Sequence, residues 1–289
     1  MRSNKKLKCV FIGFGQHAQK YAKVFKKLDI RISAILVKNE LNYLNHKKNF
    51  KIKKIYTDLK LLLKYEKYDF IMVLLPWHSI EKNIQKIIKF SKSKFIFSEK
   101  PISLSRNNLQ DIIKTSKKYK KKVYVLYNRR SYKVFEIVKK YLSKNKLLSF
   151  SMEISEREKQ LIAMHSRMII GNIKYHLTSH WIDLVMWIFK IKQFNFKKQD
   201  QKYLLNYKKK LNIKIDYLGN KPIKMKFNFK NFSLETKSLE ELYYIANNKK
   251  KLILNENKLN KFKPGLLKIS KNIKRNVLTN SQNDLIPKV

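Results

Sequence analysis

The sequence predicts an α/β chain, with a doubly wound parallel sheet over residues 1–127 followed by a smaller α+β domain over residues 128–289. Three observations predict it. Short apolar runs alternate with segments of helical periodicity through the first part of the chain. A Gly-x-Gly-x-x-Ala turn, Gly13 to Ala18, separates the first apolar run from the first helical segment. Beyond about residue 130 the alternation stops and strand patterns follow one another.

The elements follow in order. Lys8 to Ile12 is an apolar strand. Gln16 to Lys27 is a helix with Ala18, Tyr21, Ala22 and Phe25 on one face. Ile30 to Val37 is β-branched and forms a second strand. Asp58 to Tyr65 is a helix with Leu59, Leu62 and Leu63 as its apolar positions. Asp69 to Leu75 is a continuous apolar run ended by Pro76, the mark of a buried parallel strand. Ile80 to Phe90 is helical, Lys94 to Ser98 a strand, and Leu104 to Tyr119 a helix capped near Ser103 or Ser105. Lys122 to Tyr127 is a further strand. In the second half, helices are expected at Tyr132 to Leu142 and Leu177 to Phe189. Strands are expected at Leu147 to Ile154, Leu211 to Tyr217, Ile223 to Phe229 and Leu252 to Leu254, with a turn at Gly219 to Pro222. From about residue 261 the sequence is polar and poorly periodic, and it reads as a loosely ordered tail.

Of 289 residues, 44% are hydrophobic and 12% aromatic, which supplies a core and excludes disorder throughout. The longest apolar run, Phe70 to Pro76, is of strand length and too short to cross a membrane. The basic start and the run Cys9 to Phe14 faintly resemble a signal peptide, but Gly13 and Gly15 interrupt it and no cleavage site follows. A single cysteine, Cys9, allows no internal disulfide. A cytoplasmic protein is expected. The formal charge of +47 invites a nucleic-acid reading. Only eight of the 67 basic residues are arginine, however, and Gly, Pro and Ala number five each while Lys, Asn and Ile abound. That is the residue usage of an AT-rich genome, and the lysines form no single stripe. Nucleic acid is therefore not the expected partner; the charge would at most help an anionic substrate approach.

Gly13-Phe14-Gly15-Gln16-His17-Ala18 matches the dinucleotide fingerprint. Gly13 allows the tight turn, Gly15 lets backbone approach a pyrophosphate, Ala18 lets helix and strand pack closely, and the helix N-terminus attracts phosphate. The bland alternative is an ordinary strand-to-helix turn. The acid expected at the end of the second strand is missing. Lys38 stands there instead, either as one more surface lysine or as a partner for a 2′-phosphate, which tilts the cofactor towards NADP. Leu75-Pro76, Glu99-Lys100-Pro101 and Asn128-Arg129-Arg130 each follow a strand, where ligands bind in such sheets. Their alternative is a solvated basic turn. His176, His180 and Asp183 share one helical face at i, i+4 and i+7. No third zinc ligand accompanies the histidines, so no metal is expected, and a histidine exchanging a proton is the better reading. Arg129, Arg167 and Asn172 are the candidates for substrate contact.

In their order, Gly-Phe-Gly-Gln-His-Ala, Tyr68-Asp69-Phe70-Ile71 leading to Leu75-Pro76, Glu99-Lys100-Pro101, Asn128-Arg129-Arg130 and Ser179-His180-Trp181-Ile182-Asp183-Leu184 resemble the glucose-fructose oxidoreductase / inositol dehydrogenase (Gfo/Idh/MocA) family. The resemblance implies an N-terminal Rossmann fold and a C-terminal domain with an open, mainly antiparallel sheet, through which a homo-oligomer would form. It implies hydride transfer between the nicotinamide of NAD or NADP and a carbon of a small sugar-type substrate: a sugar, a sugar nucleotide or a polyol. Gly13, Phe14, Gly15, Gln16, His17, Lys38, Leu75, Pro76, Glu99, Lys100 and Asn128 would then hold the cofactor. Lys100 would also touch the substrate hydroxyl, and His180 would exchange its proton, with His176 and Asp183 in support. The sequence departs from the family pattern at His176, where many members have Asp, at Thr178, where Gly is usual, and at Ile80, with His78 two residues earlier than the family's histidine. The chain is also short for the family, so a reduced C-terminal sheet is expected.

Overall fold

A computed structural model describes residues 6–39, 50, 52–155, 173–191, 195–199, 202–207, 211–216, 223–259, 261–281 and 286–289. The chain divides into two compact units, one made of residues 1–128 together with 266–289, the other of residues 129–265.

The first unit holds strands β1 (Lys8–Ile12), β2 (Arg31–Leu36), β3 (Lys54–Tyr56), β4 (Phe70–Val73), β5 (Phe95–Glu99) and β6 (Lys122–Leu126). They form a sheet of order β3-β2-β1-β4-β5-β6, parallel throughout. Strand order reverses between β1 and β4, which is where ligands bind in doubly wound sheets. Helices α1 (Gln16–Lys27), α2 (Leu59–Tyr65), α3 (Trp77–Phe90) and α4 (Arg106–Lys118) connect the strands. Asp58 caps α2, its Oδ1 accepting from the Lys60 and Leu61 amides at 2.6 and 3.1 Å, and Ser105 caps α4. Helix α3 starts earlier than its apolar periodicity begins, because Pro76 carbonyl accepts from Ser79 and Ile80 and opens the helix at Trp77.

Strand periodicity sorts this core by residue type. Val10, Ile12, Ile71, Val73, Ile96, Val123 and Val125 join leucines of α2 and isoleucines of α3 in an aliphatic layer. The alternate positions Phe11, Phe70, Phe97 and Tyr124 build an aromatic row on the other face, covered by Phe25 of α1. Its successive centroids lie 5.0–5.9 Å apart, in edge-on or stacked geometry.

The expected loose tail is instead part of this unit. Leu266–Thr279 forms helix α7, with Leu266, Ile269 and Ile273 buried, and it packs against α1. Lys274 Nζ donates to the Leu28 carbonyl at 2.8 Å. Lysine and asparagine on the solvent face mask an apolar stripe at i, i+3 and i+7, which is why the segment read as unstructured. Residues 286–289 then lie antiparallel beside β6, with Val125 N donating to Pro287 O at 3.0 Å and Val289 N to Val123 O at 2.9 Å.

The second unit holds helices α5 (Lys133–Lys144) and α6 (Ile173–Phe189) and strands β7 (Ser149–Ser155), β8 (Asn195–Gln199), β9 (Lys202–Tyr207), β10 (Leu211–Asp216), β11 (Lys224–Asn228), β12 (Ser233–Lys237), β13 (Glu241–Ala246) and β14 (Lys249–Asn255). The order is β14-β13-β12-β11-β7-β10-β9-β8, and among the described residues only β7–β10 is a parallel pair. This sheet holds eight strands among the described residues. Phe150 of β7 meets Phe189 of α6 and Phe227 of β11 at 4.9 and 4.8 Å. Buried Glu256 accepts from the Lys133 and Val134 amides at 2.8 and 3.5 Å, so a carboxylate caps α5 from 123 residues away in sequence. The expected turn at Gly219 to Pro222 lies outside the described residues.

Deleting residues 286–289 removes two ladder hydrogen bonds and fully buried Ile286, and it bares the β6 edge. The expected loss is about 2–3 kcal/mol in urea unfolding, accompanied by faster aggregation in light scattering.

Candidate functional site

The fingerprint turn sits at the switch point. Gly13 has φ +95° and donates its amide to Leu36 O at 3.0 Å, while Leu74 donates to Ile12 O at 2.8 Å. A Cβ on Gly13 would stand 2.8 Å from the Leu74 carbonyl oxygen, so only glycine fits. A Cβ on Gly15, the N-cap of α1, would meet nothing within 4 Å. Open space therefore fronts the N-terminus of α1, whose first turn carries no acid to offset its dipole. Close-packed backbone at the first glycine and free space at the second fit a dinucleotide's pyrophosphate.

The other candidates in this unit gather along the same carboxyl edge of the sheet. Lys38 is exposed just past β2. Leu75 and Pro76 leave β4 beside Gly13. Glu99 ends β5, and Lys100 follows it with only 8% of its surface exposed. Asn128, buried, opens the 3-10 turn after β6. Phe14 is buried behind the turn, Gln16 is exposed, and His17 Nε2 lies 3.1 Å from Glu99 Oε1. Sequence reasoning missed Glu81 of α3, which anchors the loop after Pro101. Its Oε1 accepts from Ser103 Oγ at 2.6 Å, Asn108 Nδ2 at 3.0 Å and Leu104 N at 3.3 Å. Burial pushes this carboxyl up, but those donors outweigh it and hold it below the usual range.

In the second unit Asp183 is paired with an arginine. Arg130 grips it through both guanidinium arms, Nε to Oδ2 at 2.8 Å and Nη2 to Oδ1. Both side chains are nearly buried, and burial pushes the Asp183 carboxyl up to about 6 although Arg130 pulls it down. Arg130, not singled out by the sequence, is the partner that holds Asp183. Its only sequence signal was a second arginine beside the one chosen. Arg129 itself lies flat on Trp181, 3.3 Å from the ring centroid. His180 is half-buried on α6. The side chain of His176, and Arg167 and Asn172, lie outside the described residues. Among the described residues, no three His, Cys, Asp or Glu side chains are grouped to hold a metal, and no helix is long and apolar enough to cross a membrane.

Gly13→Ala should cost about 1–3 kcal/mol of stability through strain at positive φ. Gly15→Asp should leave the melting temperature unchanged and abolish NADH binding. Arg130→Met leaves a buried lone carboxylate and should cost roughly 3–5 kcal/mol, largely restored by adding Asp183→Leu. Asp183 holds its proton more tightly folded than unfolded. Its contribution is therefore complete below the ordinary carboxylate range and lost as pH rises through about 6. Across that window the native protein should lose stability relative to Asp183→Asn.

Residues 7–127 match the family model described as "Oxidoreductase family, NAD-binding Rossmann fold". None of the curated proteins matches the chain. Among solved structures, an oxidoreductase from Agrobacterium radiobacter in complex with NAD+, L-tartaric acid and magnesium is similar at TM-score 0.77 and 14% identity, over 98% of this chain and 91% of that one. The super-repressor mutant of Gal80p from Saccharomyces cerevisiae is similar at TM-score 0.76 and 12% identity, over 97% and 87%. The apo scyllo-inositol dehydrogenase from Lactobacillus casei is similar at TM-score 0.71 and 13% identity, over 96% and 90%. The chain therefore carries, over residues 7–127, the NAD-binding Rossmann domain of the Gfo/Idh/MocA oxidoreductase family.

Proposed function

We propose that this protein moves a hydride between the nicotinamide of NAD or NADP and a carbon of a sugar, sugar nucleotide or polyol. The observation that carries the reading is the fingerprint turn, open at Gly15 and closed at Gly13, on the same sheet edge as Lys100. The nicotinamide supplies hydride chemistry; the chain supplies binding, orientation and proton transfer. Gly13, Phe14, Gly15, Gln16 and His17 form the turn for the pyrophosphate. Leu75, Pro76, Glu99 and Asn128 border the cofactor along the carboxyl edge, and Lys38 faces a 2′-phosphate, favouring NADP. Lys100 stabilises the developing alkoxide, and His180 exchanges the hydroxyl proton with His176 one turn away. Asp183, locked by Arg130, holds α6 in place. Arg129, Arg167 and Asn172 meet the substrate. The protein works in the cytoplasm as a homo-oligomer joined through the C-terminal sheet, with surface polysaccharide synthesis as the fitting pathway class.

A second reading, a relative that binds nucleotide without chemistry, draws on two observations. A super-repressor shares the fold, and the ribose-binding acid is replaced by Lys38.

NADH and NADPH titrations followed by nicotinamide fluorescence, then a panel of sugars, polyols and sugar nucleotides, test both. Lys38→Glu should weaken NADPH roughly tenfold while sparing NADH. Lys100→Ala and His180→Ala should still bind cofactor and lose roughly 10²–10⁴ in turnover. Near-native turnover in both variants rules out the assigned roles, and cofactor binding without turnover across the panel selects the second reading.

A further inference from the structure

The contact between His17 and Glu99 joins two motifs far apart in sequence. His17 is the second residue of α1, on the turn that opens at Gly15, and Glu99 is the last residue of β5 before Lys100. The imidazole Nε2 and the carboxylate Oε1 are 3.1 Å apart, with side chains 33% and 17% exposed, so water screens the contact only in part. One turn further along α1, the Tyr21 ring stands edge-on to His17, at 5.3 Å between centroids. Its phenol is fully buried, and burial and then the neighbouring Glu99 carboxylate hold it well above its usual value. Glu99 thus lies against two α1 side chains. Beyond Lys100, Glu81 anchors the loop through Ser103, Leu104 and Asn108. Lys100 therefore sits between two fixed points, one on α1 and one on α3.

We infer that His17 and Glu99 are paired positioning residues, through which a dinucleotide docked on the α1 turn sets the strand end that carries Lys100. The inference rests on the cofactor reading above. His17 is partly exposed at the front of α1, where phosphate would order the first helical turn. An ordered turn holds the imidazole as a donor to Glu99, and the adjoining peptide places Lys100. The coupling is reciprocal, so loosening Glu99 weakens dinucleotide binding at the turn.

NADH affinity by fluorescence tests this in the full-length protein and in His17→Ala, Glu99→Ala, the double variant and His17→Gln, which keeps a donor. Each alanine variant should weaken NADH roughly three- to tenfold. The double variant should be no weaker than the worse single variant, and His17→Gln should recover most of the affinity that His17→Ala loses. Hydrogen exchange supplies a second readout that does not depend on Glu99→Ala folding. Saturating NADH should slow exchange of a peptide spanning residues 99–105 in the unaltered protein and in His17→Gln, but not in His17→Ala. Additive losses, or equal protection in His17→Ala, overturn the coupling while leaving the cofactor reading intact. Absence of NADH binding by the unaltered protein overturns the cofactor reading and the coupling together.

Discussion

The approach of Gly13 to the Leu74 carbonyl is the constraint on which the first unit depends. Two adjacent parallel strands leave the sheet at one point and must turn to opposite faces. There is no room for a Cβ between them. Because Gly13 takes positive φ, only three residues separate β1 from α1, whose N-terminus stands at the sheet edge. Lys38, Leu75, Glu99, Lys100 and Asn128 reach that edge because each closes or follows a strand of the same sheet.

Six of the twenty acids of this very basic chain sit where geometry needs a carboxylate. Asp58 caps α2, Glu256 caps α5, and Asp69 accepts from the Lys8 amide. Glu66, 3% exposed, accepts from Lys54 and Tyr56; Glu81 ties a loop and Asp183 holds Arg130. Surface lysine can accumulate at small cost because its charge stays in water. A carboxylate that satisfies buried amides has no cheap replacement, since the donors left behind would be unpaired.

Most elements of the first unit were legible because buried parallel strands and their helices carry strong periodicity. Helix α7 was not, since lysines and asparagines dilute its apolar stripe. Strands β8, β9, β12 and β13 were missed because each is only five or six residues long and none alternates cleanly between apolar and polar positions. The glycine turn was legible in detail: Gly13 and Gly15 have the separate roles that their spacing implies. Arg130 was not, because the sequence puts it next to Arg129 and says nothing of which arginine meets Asp183 and which Trp181. The His17–Glu99 contact spans 82 residues, and no local pattern announces it.

Helix α7 and the strip beside β6 belong to the first unit but follow the whole second unit along the chain. On the ribosome, residues 1–128 therefore emerge well before the helix that packs against their α1. Until residues 266–289 arrive, the α1 surface that α7 packs against and the β6 edge stand open to solvent or to other chains. A nascent protein so arranged has good reason to engage a chaperone early, and its second unit acts in translation as a delay between the two halves of its first.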